Sequence, residues 1–208
     1  MNVSKDLPRI LLASRSPRRS ELLARDGLAF DIEVPAVDEF DDPSADPATL
    51  VMKNAALKGD AISSKHPGRL VMSADTTVAL GDTLLGKPVD MADARRMLKM
   101  LSGRAHTVYT AVVLQWRDEN IRAERCVESR VFFRELSDEA ITRYFSIVNP
   151  LDKAGAYGIQ EGREIIIDHY DGSLTNIMGL PMEAVREMLE QVARKVLKIS
   201  CCKSPNCV

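Results

Sequence analysis

The stretch from Arg69 to Leu80 constrains the fold most. Leu70-Val71-Met72-Ser73-Ala74 and Thr77-Val78-Ala79-Leu80 read as one buried strand, interrupted by a single charge, Asp75. An unpaired carboxylate costs several kcal/mol to bury, so Asp75 needs a cation, a metal or hydrogen-bond donors. A carboxylate at a strand end that accepts nearby backbone N–H groups is the plainer alternative.

Strand-like and helix-like segments alternate ahead of this run. Arg9 to Ser14 reads as a strand, Pro17 to Asp26 as a helix closed by Gly27, and Ala29 to Val34 as a strand. Val37 to Asp46 is an acidic, proline-containing loop. Asp46-Pro47 caps a helix to about Lys65, with Leu50, Val51, Asn54, Leu57 and Ile62 near one face. Beyond the core strand, Met91 to Leu101 is an amphipathic helix stopped by Ser102-Gly103. Thr107 to Trp116 and Ile121 to Arg134 form a hairpin around Arg117-Asp118-Glu119-Asn120. Ser137-Asp138-Glu139 starts a helix that Asn149-Pro150 ends, and Glu164 to Asp168 reads as a short strand. Pro181 opens a last helix with Val185, Met188, Leu189, Val192 and Val196 at helical spacing. The hairpin rules out a purely parallel βαβ series, so the expected class is α/β with a mixed sheet.

Bulk properties exclude several roles. The 208 residues suit one domain, and the 45% apolar and 28% charged composition is that of an ordinary globular protein. Lys plus Arg is 28 against 30 for Asp plus Glu, a net charge of −2. This balance argues against a nucleic-acid partner held through its phosphates. No apolar run approaches a membrane span or a signal-peptide core, so a cytoplasmic location without a membrane partner is expected. Of the four cysteines, three crowd the end as Cys201, Cys202 and Cys207. A domain over 1–198 followed by a frayed tail over 199–208 is the expected division.

Ser16-Pro17-Arg18-Arg19 is the first candidate site. Proline is favoured at the first helical position, and Ser16 is a natural N-cap. Two cations in a first turn oppose the helix dipole, yet free N–H groups there attract phosphate. A solvated turn with surface arginines is the bland alternative. Lys58 on the second helix, Glu39 in the acidic loop and Lys87 in Gly86-Lys87-Pro88 add separated charges. Lys153-Ala154-Gly155-Ala156-Tyr157-Gly158-Ile159-Gln160 places small residues around an aromatic, which suits a loop close to a ligand or simply a turn. Asn176, ahead of Gly179-Leu180-Pro181, fits a loop cap better than a ligand contact. GxxxxGK[ST] and GxGxxG are absent, and His66, His106 and His169 lack metal-ligand spacing.

Taken in order, these segments resemble the Maf (septum-formation-inhibitor-like) family of nucleoside triphosphate pyrophosphatases. The resemblance rests on Leu12-Ala13-Ser14-Arg15-Ser16-Pro17-Arg18-Arg19, Val37-Asp38-Glu39, Ser73-Ala74-Asp75-Thr76 and Gly86-Lys87-Pro88. Leu101-Ser102-Gly103-Arg104 with His106, the run Leu151 to Gln160, and Asn176 with Gly179-Leu180-Pro181 complete it. It implies one α/β domain with an elongated mixed sheet and a cleft between two lobes. It also implies hydrolysis between the α and β phosphates of a nucleoside triphosphate, with a divalent metal, Mg²⁺ or Mn²⁺. Carried over by position, Asp75 is the catalytic acid/base and Glu39 another pocket residue; by their chemistry, Asp75 either takes a proton from the attacking water or shares the metal with Glu39. Arg18, Thr76 and Gln160 set substrate choice, while Ser14, Arg19, Lys58 and Lys87 line the rest of the pocket. Pro17-Arg18-Arg19, Ala74-Asp75-Thr76 and Tyr157-Gly158-Ile159-Gln160 look like the branch that cleaves dTTP and UTP. A nucleotide-sensing regulator of cell division, and a pyrophosphatase for 7-methyl-GTP or other non-standard nucleotides, stay open as alternatives. The oligomeric state is open too, a homodimer included.

Overall fold

A computed structural model describes residues 7–202. The chain runs β1 (Ile10–Ala13), α1 (Pro17–Arg25), β2 (Phe30–Ile32), α2 (Pro47–Ser63), β3 (Val71–Leu80), β4 (Thr83–Leu85) and α3 (Met91–Leu101). It continues through β5 (Ala105–Trp116), β6 (Ile121–Phe133), α4 (Asp138–Phe145), a 3₁₀ turn at Ala154–Ala156, α5 (Arg163–Ile166), β7 (Ile167–Asp171), α6 (Leu174–Ile177) and α7 (Met182–Cys202). The sheet order is β2-β1-β3-β5-β6-β7, with β4 beside β3. β1 is parallel to both β2 and β3, and β3, β5, β6 and β7 are successively antiparallel. The mixed α/β sheet expected from the central hairpin is therefore present.

β3 is the spine of this sheet. One of its edges pairs with β5 from Val71 to Ala79. Its other edge pairs with β1 only at Val71–Ser73 and with β4 only at Val78–Leu80. Between these contacts, Ala74 to Thr77 have no strand partner on that side, and this gap opens the cleft. Side chains alternate across the strand. Leu70, Met72, Ala74, Val78 and Leu80 enter the main core with Leu98, Leu101, Val112, Leu114, Val185 and Met188. On the opposite face lies α2, where Val51 and Ala55 pack on Ala111 and Val113. Gly59 makes that approach close, because a Cβ there would lie 2.7 Å from Ser73 Oγ.

The capping signals act as written at α2, where Asp46 accepts from the Thr49 N–H. Ser16 stands at the N-cap of α1, but its side chain makes no capping hydrogen bond. The strand expected over Glu164 to Asp168 is displaced. Gly162, at φ 64°, starts one helical turn over Arg163–Ile166, and the strand follows as Ile167–Asp171. Asp168, His169 and Asp171 make that edge strand polar, which hides it from a hydrophobicity reading. β4 and α6 are further short elements that no periodicity announced. The tail expected over 199–208 begins within the last turn of α7, and residues 203–208 lie outside the described residues. Among the described residues, no helix is long and apolar enough to cross a membrane.

His106, on β5, is buried with its Nε2 2.7 Å from Tyr157 Oη. Its ring meets Phe133 and Tyr157 edge-on, at centroid distances of 4.9 and 5.3 Å. Burial pushes its pKa down to about 3. A depressed folded pKa contributes stability above the unfolded value near 6.5, and that stability is lost as pH falls toward about 3. Denaturant titrations between pH 4 and 7 are expected to lose up to about 1.4 kcal/mol per pH unit through this group. His106→Gln flattens that slope.

Candidate active site

The cleft is built from segments far apart in sequence that converge on the gap in the sheet. Its volume is about 640 Å³, and its walls include α1, the Val34–Asp41 loop, α2, β3, the Gly86-Lys87 turn and the Asp152–Gln160 loop. Asp75 points from the gap toward α2 and is 9% exposed. Asn54 and Lys58 lie one turn apart on the α2 face opposite, within the stripe that also buries Val51, Ala55 and Ile62. Lys58 Nζ sits 2.6 Å from Asp75 Oδ1 and 2.6 Å from Glu39 Oε2. One ammonium thus bridges two carboxylates, one from the core strand and one from the acidic loop.

Their environments push the two acids apart. Burial lifts the Asp75 carboxyl above the usual carboxylate range, and the Lys58 and Arg19 charges pull against it without winning. Burial also works upward on Glu39, but the Lys58 hydrogen bond and charge outweigh it and hold this carboxyl below its ordinary value. The difference follows exposure, since the Glu39 side chain is 49% exposed and that of Asp75 only 13%. Paired acids with opposed shifts are a common basis for acid/base assignments.

Arg18 and Arg19 have different surroundings. Arg19 is buried, and its guanidinium donates to Gly179 O at 2.9 Å, Ala74 O at 2.8 Å, Ser14 Oγ at 3.1 Å and Thr76 Oγ1 at 3.2 Å. These bonds use four of its five N–H groups. The Ala74 carbonyl it caps belongs to the stretch of β3 that has no strand partner on that side. Arg19 therefore ties α1, β3 and the Gly179 loop together, and its charge is stabilised chiefly by these protein acceptors. Arg18 is half-buried and pairs with Asp152 Oδ2 at 3.1 Å. Asp152 is in turn held by Lys153 Nζ at 2.6 Å. Arg15 and Lys87 remain as exposed cleft cations without an ion pair among the described residues.

The last wall is the loop that ends at Gln160. Gly155 and Ala156 both take positive φ, 68° and 63°. A Cβ on Gly155 would lie 3.2 Å from the Val78 side chain, so both the tight space and the positive φ favour glycine there. Ala156 carries the strain, as residues near functional sites often do. The Gly155 N–H donates to Gly86 O, which joins this loop to the Lys87 turn. Tyr144 Oη accepts the Gly158 N–H at 2.9 Å and donates to Gly158 O at 3.1 Å. Gln160 then projects exposed at the rim, with Nε2 3.5 Å from Glu21 Oε2.

The family model described as Maf-like protein matches residues 9–192. This chain belongs to the Maf family. A dTTP/UTP pyrophosphatase of Symbiobacterium thermophilum is 43% identical over 185 residues, covering 89% of this chain and 94% of that protein. Proteins of the same printed name from Akkermansia muciniphila and Myxococcus xanthus are each 42% identical. They cover 88% and 92% of this chain, and 96% and 95% of their own lengths.

In this Maf chain the nine residues singled out from sequence all line one cleft. Ser14, Arg18 and Arg19 stand on one side, Glu39 and Lys58 on another, with Asp75, Thr76, Lys87 and Gln160 completing it. Their accessibility differs from one to the next. Ser14 and Arg19 are buried in mutual contact, and the Thr76 hydroxyl is shared between Arg19 and Thr110 Oγ1 at 3.0 Å. Asn176 does not face the cleft; its Nδ2 donates to Val108 O and Ser129 Oγ, stitching α6 to β5 and β6. Asn54, Asp152 and Tyr144 hold site residues in place and were not singled out. Asn54 alone left a trace, a polar residue four before Lys58 on an apolar helix face.

Proposed function

We propose that this protein is a nucleoside triphosphate pyrophosphatase that hydrolyses the α–β phosphate bond of dTTP and UTP, giving the monophosphate and pyrophosphate. The observation that carries it is the Glu39–Lys58–Asp75 arrangement at the gap in the sheet, with two oppositely shifted carboxylates at the floor of a cation-lined cleft. The relatives named dTTP/UTP pyrophosphatase support the choice of substrate.

In this reading Asp75 is the proton acceptor. Water attacks the α phosphorus, its proton passes to an Asp75 oxygen, and the bond from the α phosphorus to the bridging oxygen breaks, releasing pyrophosphate. Charge builds on the leaving group as that bond lengthens, so cations aimed at it lower the barrier. Lys87 and Arg15 supply that charge, and Arg18 joins them by exchanging its Asp152 contact for phosphate. Arg19, with its donors committed, acts mainly by holding the walls together. Gln160, with one donor and one acceptor face, matches the carbonyl and N–H of thymine or uracil.

The donor set fits a hard divalent cation. Glu39 and Asp75 offer carboxylate oxygens side by side, and Mg²⁺ is commonly held by one or two carboxylates plus substrate phosphates. Among the described residues no group of three or more His, Cys, Asp or Glu forms an all-protein cage. The ion is therefore expected to complete its shell with the nucleotide's oxygens. When bound, it neutralises phosphate charge and helps orient the triphosphate. A cytoplasmic location belongs to this reading, since nucleoside triphosphates are made and used there.

The test is pyrophosphate release from a panel of nucleoside triphosphates with Mg²⁺ or Mn²⁺. Turnover of dTTP and UTP well above that of purine nucleotides and 7-methyl-GTP is the expected result. Preference for 7-methyl-GTP overturns the substrate, and binding without release from any nucleotide favours a sensor.

A further inference from the structure

Glu39 belongs to a loop without regular structure, yet its carboxylate must meet Lys58 and Asp75 on separate elements. What holds it there is Asn54. This side chain is 4% exposed, on the α2 turn before Lys58. Its Oδ1 accepts the Phe40 N–H at 2.8 Å, and its Nδ2 donates to Phe40 O at 3.0 Å. Nδ2 also lies 3.5 Å from Asp75 Oδ2. The amide orientation follows from the partners, because a backbone N–H can only donate and a carbonyl or carboxylate can only accept.

We infer that Asn54 is a positioning residue whose carboxamide clamps the Phe40 backbone on both sides of its Cα and thereby sets the adjacent Glu39 against Lys58 and Asp75. A side-chain amide satisfies both backbone polar groups of one residue at once, doing for the loop what a neighbouring strand does in a sheet. The polar groups of Phe40 would otherwise meet water while Glu39 swung with the loop. Misplacing a catalytic group by about 1 Å can cost around 100-fold, and loss of a partner that orients a metal ligand typically costs 10–100-fold in metal affinity or activity. Phe40 itself is 55% exposed. The geometry of its backbone, not its side chain, is what the clamp controls.

The inference rests on the proposed reaction for its kinetic readout and on the structure alone for its exchange readout. In Asn54→Ala, amide hydrogen exchange at Phe40 is expected to accelerate at least 10-fold, with β3, β5 and the rest of α2 unchanged. Pyrophosphate release is expected to need about 10-fold more Mg²⁺ or Mn²⁺ for half-maximal activity, while KM for the nucleotide moves less than threefold. Combined with Glu39→Gln, the loss is expected to be no larger than for Glu39→Gln alone, since both act through one carboxylate. Unchanged exchange at Phe40 overturns the clamp. Multiplicative losses in the double variant overturn its action through Glu39, even if exchange does change. Should the wild-type chain release no pyrophosphate, the reaction fails while the exchange result still decides the clamp. Asn54→Ser, which keeps a small polar group on α2 without spanning both Phe40 backbone groups, is expected to behave as Asn54→Ala and guards against a packing defect.

Discussion

Asp75→Asn lowers kcat for pyrophosphate release from dTTP or UTP by about 10²–10⁴-fold and leaves nucleotide affinity within a few-fold of wild type. That range is what a positioned general base contributes. The amide keeps the size of the carboxylate and removes its basicity, so the loss falls on the chemical step. Equilibrium binding of a non-hydrolysable nucleotide separates the two quantities. Undiminished turnover removes Asp75 from the mechanism. Burial raises the Asp75 pKa in the folded state above its unfolded value. The stability tied to its protonated form is fully present below the unfolded value and is lost as pH rises through the folded pKa.

Lys58→Met has the second large effect, and its signature is in the pH profile. Lys58 is the cation between Glu39 and Asp75, with 2.6 Å contacts to both. Without it two carboxylates face each other, and like charges favour proton uptake by one of them. Asp75, already raised by burial and by Glu39, moves further upward. A base works only when ionised, so the acid limb of kcat/KM shifts to higher pH, by at least about one unit. Breaking a buried pair costs about 3–5 kcal/mol, and the half-exposed Glu39 places this case below that range. Adding Glu39→Gln to Lys58→Met removes the repulsion and is expected to bring the limb back down. A limb that stays in place in Lys58→Met would show that the ammonium does not govern Asp75.

Much of the framework was legible because it depends on local order. The apolar run from Leu70 to Leu80 became β3, the periodic stripe at Ala94, Met97, Leu98 and Leu101 became the buried face of α3, and Asp46 capped α2. β7 begins three residues later than the sequence suggests, because one turn of helix seeded by Gly162 precedes a polar edge strand. β4 and α6 are too short for any period to register.

The site divides along the same line. Asp75 stood out in sequence because a charge inside an apolar strand has a cost that local context cannot remove. Lys58 was marked chiefly by its place in the family resemblance and Asn54 hardly at all, since a lysine or an asparagine on a helix is ordinarily solvated. Arg19 was legible as an unusual residue but not in its surroundings. A guanidinium at a helix start looks equally ready for phosphate or for protein acceptors, and only the fold shows the carbonyls of Ala74 and Gly179 beside it.

The sequence by itself determined which residues had to be accounted for: the strand that must be buried, the carboxylate inside it, and the cations that must find partners. Only the tertiary structure decided which cation meets which anion. Ion pairs and hydrogen bonds act over a few ångströms, and Glu39, Lys58 and Asp75 reach that range only when the acidic loop, α2 and the gap in the sheet are packed together.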